Sequence, residues 1–392
     1  MRIGCVTNNI PCKEQPFRGH STYQTLLALQ KYAQVDVISP QARYPRFLLP
    51  RSRGWARTDD SYCVPGLQVK YVEYPAVPVL SRRVNGYNCM RAVEPDIVRG
   101  NYDVILNYWL YPDGYAAAMI GRKYGIPTIL KAMGSDVNRV SGISRRFTME
   151  AMQASTLVTS VSDALSESIV SMGIAREKVR TIKNGCDTSV FHPRNKLDMR
   201  HELGLSENAK YVVYVGRYDL KKGLLELISA VAALKHELPE LQLLLVGDGS
   251  ARATLHTHAE QLGVMDRVEM LGPFATDEIA KWVAASDVFA LPSYAEGLPN
   301  AVIEALSCGR PVVASAVGGV PELVDSESGV LIPPKRVDAL TDALRTALTR
   351  SWDEAAIARK HLRSWDNVAI EVMQLCQQYA GKRVGEFAAT TR

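Results

Sequence analysis

The sequence lacks the features that place a protein across a membrane, in an oxidising compartment or around a structural metal ion. No apolar run is long enough to span a bilayer, and the first residues indicate a strand rather than a signal peptide. The seven cysteines are scattered without a Cys-x-x-Cys pair, and the seven histidines form no metal-ligand spacing with them. We therefore expect a reduced, cytoplasmic protein without a structural metal site.

Short apolar runs alternate with helical stretches in two successive arrays. The 392 residues suffice for two domains, and contents of 47% hydrophobic and 22% charged residues are typical of globular proteins. Runs rich in Val, Ile and Leu predict strands at 3–6, 35–38, 69–72, 104–106, 128–131, 157–160 and 179–182, and again at 211–215, 241–246, 268–271, 288–291, 312–314 and 330–332. Such runs separated by helices predict parallel, doubly wound α/β sheets.

The two arrays define the expected domains. We predict a first Rossmann-like domain at 1–190, a linker at 191–209 and a second Rossmann-like domain at 210–367. The C-terminal stretch at 368–392 begins as a helix that can pack on either domain.

Two glutamates lie eight positions apart around a predicted strand-to-helix junction. A glycine-containing loop follows Glu296, and Pro299 and Asn300 are suited to the first turn of a helix that carries Glu304. Free backbone N–H groups at a helix start attract phosphate, and a carboxylate accepts hydrogen bonds from sugar hydroxyls. Either glutamate alone is explained as a solvated surface residue. The pair predicts a ligand that contains both phosphate and sugar.

Glycine-containing turns also follow other predicted strands of the second array. Gly216 follows the strand at 211–215, and Arg217 and Lys222 lie five positions apart around that turn. Ligands of open parallel sheets bind at the carboxyl ends of the strands, where this turn lies. Two basic residues near a turn are common on any surface. Beside the two glutamates, we favour a role in binding a diphosphate.

Positive charge is concentrated in the first half of the chain. Residues 1–189 carry an excess of nine positive charges, and the remainder carries an excess of four negative charges. Arginines alternate with aromatic and apolar residues between Arg43 and Arg57, and Arg82 and Arg83 follow another apolar pair. This composition suits an anionic membrane surface, and it equally fits a solvated loop whose apolar residues pack locally. No nucleic-acid recognition motif accompanies it, so we expect no nucleic-acid partner.

The chain resembles the GT-B-fold retaining glycosyltransferases of family 4, which use nucleotide-sugar donors. The resemblance covers nearly the whole chain and rests on the segments 134–136, 184–187, 216–223, 246–249, 292–304 and 317–322. It implies two Rossmann-like domains facing a cleft, with the donor on the second domain and the acceptor on the first. It also implies that the last helix, after Trp365, crosses back onto the first domain.

The resemblance also implies a role for each matched residue. Arg217 and Lys222 would hold the donor diphosphate and stabilise it as it leaves, and Glu304 would bind the ribose. Glu296 would hold the transferred sugar. The other donor-binding residues would be Gly19, Gly216, Gly297, Leu298, Pro299 and Asn300. Family members keep the anomeric configuration and need no divalent ion, so no cofactor or metal is expected.

One departure from the family pattern lies in the first domain. Where relatives often carry a histidine after the fourth strand, Tyr108 occupies that place, and Met133 replaces a second family histidine. The reaction tolerates this loss, because the departing phosphate oxygen can take the acceptor's proton. His20, Tyr108, Asp113 and Asp136 are the candidates for acceptor or sugar contacts. Turn capping by the two aspartates and packing by Tyr108 explain these residues equally well.

The predicted function is the transfer of a hexose-type sugar from a nucleotide-diphosphate sugar to a hydroxyl of a saccharide acceptor, with retention. The basic stretch favours a lipid-linked acceptor in surface polysaccharide synthesis, and a protein peripheral to the inner face of a membrane. Glycosylation of a small metabolite and a non-catalytic nucleotide-sugar-binding subunit remain alternatives. A sugar-nucleotide epimerase would use a similar site but gives no reason for the spacing of the two glutamates.

Overall fold

The protein folds into two compact units, each built on one parallel sheet. The computed structural model describes residues 1–13, 15, 18–45, 62–77 and 80–381. The first unit comprises the described residues of Met1–Asn184 together with the chain from Trp365 to Gly381, and the second unit comprises Gly185–Ser364. The prediction of an α/β protein with two doubly wound parallel sheets is confirmed.

The first unit contains a seven-stranded sheet. Its strands are β1 (Arg2–Val6), β2 (Gln34–Arg43), β3 (Val69–Pro75), β4 (Val104–Asn107), β5 (Thr128–Ala132), β6 (Leu157–Ser160) and β7 (Val179–Thr181). Its helices are α1 (His20–Leu29), α2 (Asn85–Gly100), α3 (Tyr115–Tyr124), α4 (Ser135–Asn138), α5 (Gly142–Ala154) and α6 (Asp163–Ser171), with a last helix from the C-terminal stretch described below.

The second unit contains a six-stranded sheet. Its strands are β8 (Lys210–Val215), β9 (Leu241–Val246), β10 (Val268–Gly272), β11 (Val288–Leu291), β12 (Val312–Ser315) and β13 (Gly329–Ile332). Its helices are α7 (Lys196–Glu202), α8 (Leu224–Leu234), α9 (Arg252–Gln261), α10 (Thr276–Ala285), α11 (Asn300–Ser307), α12 (Val337–Thr349) and α13 (Glu354–His361).

The strand orders place a topological switch point in each sheet. The first sheet runs β3-β2-β1-β4-β5-β6-β7, and the second runs β10-β9-β8-β11-β12-β13. Successive crossovers therefore proceed in opposite directions from β1 and β4, and likewise from β8 and β11. The loops at the carboxyl ends of these strand pairs diverge and leave the crevice in which open α/β sheets bind ligands.

The last helix, α14 (Trp365–Tyr379), belongs to the first unit. Its buried residues recur at helical spacing and join the hydrophobic core that α1 forms with β1, β2 and β4. Large side chains such as Trp365 and Val372 each stabilise this attachment by about 1.5–3 kcal/mol through burial. An exposed ion pair between Lys31 and Asp366, at 2.8 Å, adds little beside this apolar contact.

The stretch predicted as a linker, 191–209, is a folded part of the second unit. It contains α7, whose Arg200 is 4% exposed. The Arg200 guanidinium lies 2.7 Å from the Asp287 carboxylate and donates to the carbonyl of Ala285 at 3.0 Å. The sequence of α7 resembled a linker because the helix is held in place by the buried Arg200–Asp287 ion pair, whereas sequence reasoning looks for an apolar face. The first unit also ends at Asn184, before the predicted boundary.

None of the helices in the described part of the chain is both long enough and apolar enough to cross a membrane.

Candidate donor and acceptor sites

The loops after β8 and β11 touch through their backbones. Gly223 ends the loop after β8 with a φ of +69°, and a Cβ at this position would lie 2.1 Å from the carbonyl oxygen of Pro292. The backbone N–H of Tyr294 donates to the carbonyl of Lys221 at 2.9 Å. Only glycine at 223 permits both the left-handed conformation and this close approach.

An ion pair between Lys222 and Glu296 joins the same two loops. The Lys222 Nζ lies 2.6 Å from the Glu296 Oε1, and the two side chains are 25% and 11% exposed. Each group retains hydrogen-bonding capacity, because an ammonium has three donors and a carboxylate has two acceptor oxygens. The structure thus places side by side a cation suited to phosphate and a carboxylate suited to sugar hydroxyls.

A second side-chain contact, between the loop after β11 and the start of α8, was missed by sequence reasoning. The Tyr294 hydroxyl donates to the Glu226 carboxylate in the first turn of α8, and the Lys335 Nζ lies 4.9 Å from the centroid of the Tyr294 ring. Burial, and then the Glu226 carboxylate, raise the pKa of Tyr294 to about 12. The only signal in the sequence was an aromatic residue two positions before Glu296.

The loop after β12 supports the backbone that carries Glu296. Gly318 has a φ of +54°, and a Cβ there would lie 2.0 Å from the carbonyl oxygen of Glu296. The backbone N–H of Gly319 donates to the carbonyl of Gly297 at 2.7 Å. Three loops therefore fix the position of this carboxylate.

Gly216 takes part in loop packing as well. A Cβ on Gly247, in the loop after β9, would lie 2.0 Å from the carbonyl oxygen of Gly216. The backbone N–H of Tyr218 donates to the carbonyl of Asp248 at 2.9 Å, which joins the same two loops. These glycines are required for contacts between loops, independently of any phosphate.

Glu304 lies in the second turn of α11 and is half-buried. Burial raises the pKa of its carboxyl to about 7. Within the described part of the chain, this carboxylate has neither an ion-pair nor a hydrogen-bond partner, and burial alone shifts its pKa. Its oxygens therefore remain available as hydrogen-bond acceptors.

Arg217 and the start of α11 complete the predicted donor residues. The Arg217 side chain is exposed, and among the described residues it makes no ion pair or hydrogen bond. α11 begins at Asn300 after Pro299, and Leu298 is 7% exposed. The structure thus joins Lys222 to Glu296 directly, and within the described residues neither Arg217 nor Glu304 forms an ion pair or hydrogen bond with that pair.

In the first unit, Gly19 closes the loop after β1 and precedes His20, the first residue of α1. Gly19 has a φ of +59°, and a Cβ there would lie 1.9 Å from the carbonyl oxygen of Asn9. Gly19 is thus required by the path of its own loop. His20 is half-buried.

Asp113 and Asp136 are buried residues that fix loops at the carboxyl edge of the first sheet. Asp113 accepts a hydrogen bond from the backbone N–H of Asn8 at 2.9 Å, and Asp136 accepts from those of Met133 and Gly134 at 2.9 Å. Burial raises the pKa of Asp113 to about 7 and that of Asp136 to about 6. Both carboxyls thus have the capping roles considered from the sequence.

Tyr108 is a core residue. It is 2% exposed and packs in the same hydrophobic cluster as α1 and α14, where burial raises the pKa of its hydroxyl well above the ordinary value. The expectation that Tyr108 contacts a sugar is therefore corrected, because a ligand cannot reach a side chain enclosed in this cluster.

Comparison with known proteins identifies the family. The model of Glycosyltransferase Family 4 matches residues 19–190, and the model of Glycosyl transferases group 1 matches residues 195–365. A D-inositol 3-phosphate glycosyltransferase from Xylanimonas cellulosilytica is 30% identical over 314 residues, which cover 72% of this chain and 74% of that relative. The chain belongs to the group 1 glycosyltransferases.

Two further comparisons concern one similar sequence and one similar structure. The teichuronic acid biosynthesis glycosyltransferase TuaC of Bacillus subtilis is 34% identical over 247 residues, and the match covers 62% of this chain and 60% of the relative. The chain thus spans less than two thirds of that relative. The structure of Anabaena HepE in complex with UDP superposes with a TM-score of 0.75 at 20% identity and covers 96% of this chain and 100% of that one. This likeness identifies the GT-B fold.

The first unit of this glycosyltransferase also contains a polar cleft that sequence reasoning missed. Its volume is about 270 Å³. Polar and aromatic side chains from the end of β2, from the loops after β1 and β4 and from the start of α2 line it: Asn8, Asn9, Arg18, Gln41, Asn85 and Trp109. Trp109 immediately follows Tyr108, and the buried Asn107 orients it by accepting its backbone N–H at 3.1 Å. These residues are far apart in sequence and share no motif, so only the sheet topology brings them together.

Proposed function

We propose that this glycosyltransferase moves a hexose-type sugar from a nucleotide-diphosphate sugar to a hydroxyl of a lipid-linked saccharide, with retention of the anomeric configuration. The reaction would serve the synthesis of a surface polysaccharide.

The Lys222–Glu296 ion pair is the observation on which this proposal depends. The two charges lie 2.6 Å apart at the switch point of the second sheet. A sugar linked to a diphosphate offers an anion to the ammonium and hydroxyl donors to the carboxylate, so one ligand can replace each partner of the pair. Glu304, whose carboxylate is half-buried, supplies an acceptor for ribose hydroxyls.

The leaving group is a nucleoside diphosphate, whose negative charge grows as the bond to the sugar breaks. We expect Lys222, the exposed Arg217 and the N-terminal end of α11 to stabilise that charge in place of a divalent ion. Retention by attack on the face from which the phosphate departs needs no covalent intermediate. The departing phosphate oxygen accepts the proton of the acceptor hydroxyl.

The donor is supported by a relative's ligand. Anabaena HepE, whose fold this chain shares, was crystallised with UDP. A uridine nucleotide is thus the first candidate, with GDP, ADP and dTDP as competitors.

The name of TuaC, which refers to teichuronic acid biosynthesis, supports a polysaccharide acceptor. The membrane is proposed from the basic stretch of the first unit alone. Within that stretch the structure describes Arg43, whose exposed guanidinium lies 3.3 Å from the Glu73 carboxylate. The other arginines lie outside the described residues: Arg46, Arg51, Arg53 and Arg57.

A thermal-shift panel with UDP, GDP, ADP and dTDP tests the donor site. A nucleotide at a hundredfold excess over its dissociation constant raises the free energy of unfolding by about 2.7 kcal/mol. We expect one base to be preferred, Lys222→Ala to abolish the shift, and the exposed neighbour variant Lys221→Ala to retain it. A panel without any shift, or equal loss in both variants, contradicts the donor site.

Hydrolysis of the nucleotide sugar without acceptor separates an enzyme from a binding subunit. A transferase with an activated leaving group should release nucleoside diphosphate slowly, and Lys222→Ala should release it more slowly still. A wild-type rate no higher than that of the variant would favour the non-catalytic alternative.

Flotation with anionic liposomes tests the membrane. We expect the protein to float with the vesicles at low salt and to dissociate as salt screens its arginines. Protein that stays at the bottom at low salt removes the membrane from the proposal.

A further inference from the structure

An apolar groove lies beside the polar cleft in the first unit. Its volume is about 600 Å³, and it lies where β2 and β3 end and α2 begins. Aromatic, proline and aliphatic side chains form most of its wall, among them Tyr44, Pro45, Pro75, Val77 and Val84. An open groove of this size and composition can accept a flexible hydrocarbon chain.

The groove and the cleft form one continuous surface. Tyr44 and Tyr74 line both, so each tyrosine is part of the boundary between an amide-lined region and an apolar region. Tyr74 is 3% exposed and is therefore a fixed part of this boundary. A ligand that fills both regions must be polar at one end and apolar at the other.

Positive charge borders the groove. Arg82 and Arg83 are exposed on the turn that leads into α2, next to Val84, which lines the groove and is 47% exposed. Arg43 and Glu73 both line the groove and form an ion pair at 3.3 Å, so Arg82 and Arg83 supply the net positive charge at its border. Guanidinium groups at this position suit a phosphate that joins the polar and apolar parts of a ligand.

We propose that the groove binds the hydrocarbon carrier of an amphiphilic acceptor, whose saccharide occupies the cleft and whose linking phosphate lies against Arg82 and Arg83. The inference rests on the proposed function and deepens it, because it assigns the lipid part of the acceptor to named residues. The continuity of the two regions and the sign of the bordering charge favour this occupant over a peptide.

Equilibrium binding of farnesyl phosphate tests the groove without knowledge of the acceptor sugar. Each buried methylene gains roughly fourfold in affinity, so farnesyl phosphate should bind at least about a hundredfold more tightly than inorganic phosphate. The measurement is calorimetric titration of the full chain, below the micelle concentration of the probe.

Two matched variants of α2 locate the binding. Val84→Asn removes an apolar wall residue at the N-cap of α2, where asparagine is favourable, and should weaken farnesyl phosphate binding about tenfold. Val98→Asn is the control, because Val98 is equally exposed on the same helix, at 48%, but does not line the groove. Equal effects of both variants, or no gain of farnesyl phosphate over phosphate, overturn the inference.

The charged border has its own test. The double variant Arg82→Gln and Arg83→Gln should weaken farnesyl phosphate binding about tenfold while leaving farnesol binding unchanged. Equal weakening of both ligands would refute a phosphate contact.

The nucleotide panel separates the two levels of the proposal. Failure of farnesyl phosphate to bind a protein that still binds a nucleotide and hydrolyses its donor overturns the groove alone. Failure to bind any nucleotide overturns the proposed function, whatever the result in the groove.

Discussion

Replacing Glu304 by glutamine should make the protein more stable and bind nucleotide less tightly. Burial raises the pKa of the Glu304 carboxyl from 4.5 to about 7. The folded protein therefore holds this proton more tightly than the unfolded chain. The contribution of Glu304 to the free energy of unfolding is therefore greatest below pH 4.5. It falls as the pH rises from 4.5 to about 7, and it stays at this lower level at higher pH.

The expected change in the free energy of unfolding follows from the raised pKa of Glu304. About 2.5 pKa units at about 1.4 kcal/mol each give about 3 kcal/mol, which the partial exposure of Glu304 reduces to about 1–2 kcal/mol. Glutamine has nearly the same shape and no charge, so Glu304→Gln should recover this free energy at pH 8 and gain nothing at pH 4.5. For a unit of this size, the gain corresponds to roughly 2–8 °C in Tm.

The assay is thermal unfolding of ligand-free protein at pH 4.5, 6 and 8, following the transition that nucleotide raises. Glu269→Gln, an exposed position on β10, is the control and should show no such dependence on pH. In the same samples at pH 8, Glu304→Gln should bind the nucleotide about 10–100-fold more weakly, because it loses hydrogen bonds from the ribose to a charged acceptor. A pH-independent gain in Tm, or none at pH 8, would refute the burial of this carboxyl.

Two further substitutions test how the loops hold Glu296. Gly318→Ala should weaken nucleotide binding and lower the free energy of unfolding by more than about 2 kcal/mol, because its Cβ would meet the Glu296 carbonyl. Gly263→Ala is the control, because Gly263 has a similar φ of +61° but nothing within 4 Å of its Cβ position. It should lower the free energy of unfolding by only about 1 kcal/mol, as measured by unfolding experiments. Tyr294→Phe removes the hydrogen bond to Glu226 and should raise KM for the donor about tenfold with a smaller change in kcat, measured by steady-state kinetics. Similar affinities of the two alanine variants, or an unchanged KM, would contradict the roles of these loops.

The strands could be predicted from the sequence because their signal is local. Each of the thirteen predicted runs falls on a strand of the two sheets, for example 241–246 on β9 and 157–160 on β6. A strand buried on both faces requires a short apolar run, whatever its neighbours are. The glycine turns were found for the same reason, because a positive φ such as that of Gly223 favours one residue type.

The linker and Tyr108 were misread because burial depends on distant residues. α7 has a polar sequence, and its burial depends on the ion pair between Arg200 and Asp287. Tyr108 was considered a site residue, but it lies in the core together with residues of α14. Asp287 and α14 are far away in the sequence, so the residues around α7 and Tyr108 do not predict these contacts.

The α/β class, both parallel sheets, the family and the charged residues around Glu296 could all be predicted from the sequence alone. These follow from local apolar periodicity and from motifs confined to single loops. The contact between Lys222 and Glu296, the hydrogen bond from Tyr294 to Glu226, and the meeting of a polar cleft with an apolar groove at Tyr44 became visible only in the folded structure. The reason is physical: a parallel sheet brings the carboxyl ends of sequence-distant strands to one edge, and the chemistry of that edge belongs to no single segment of the chain.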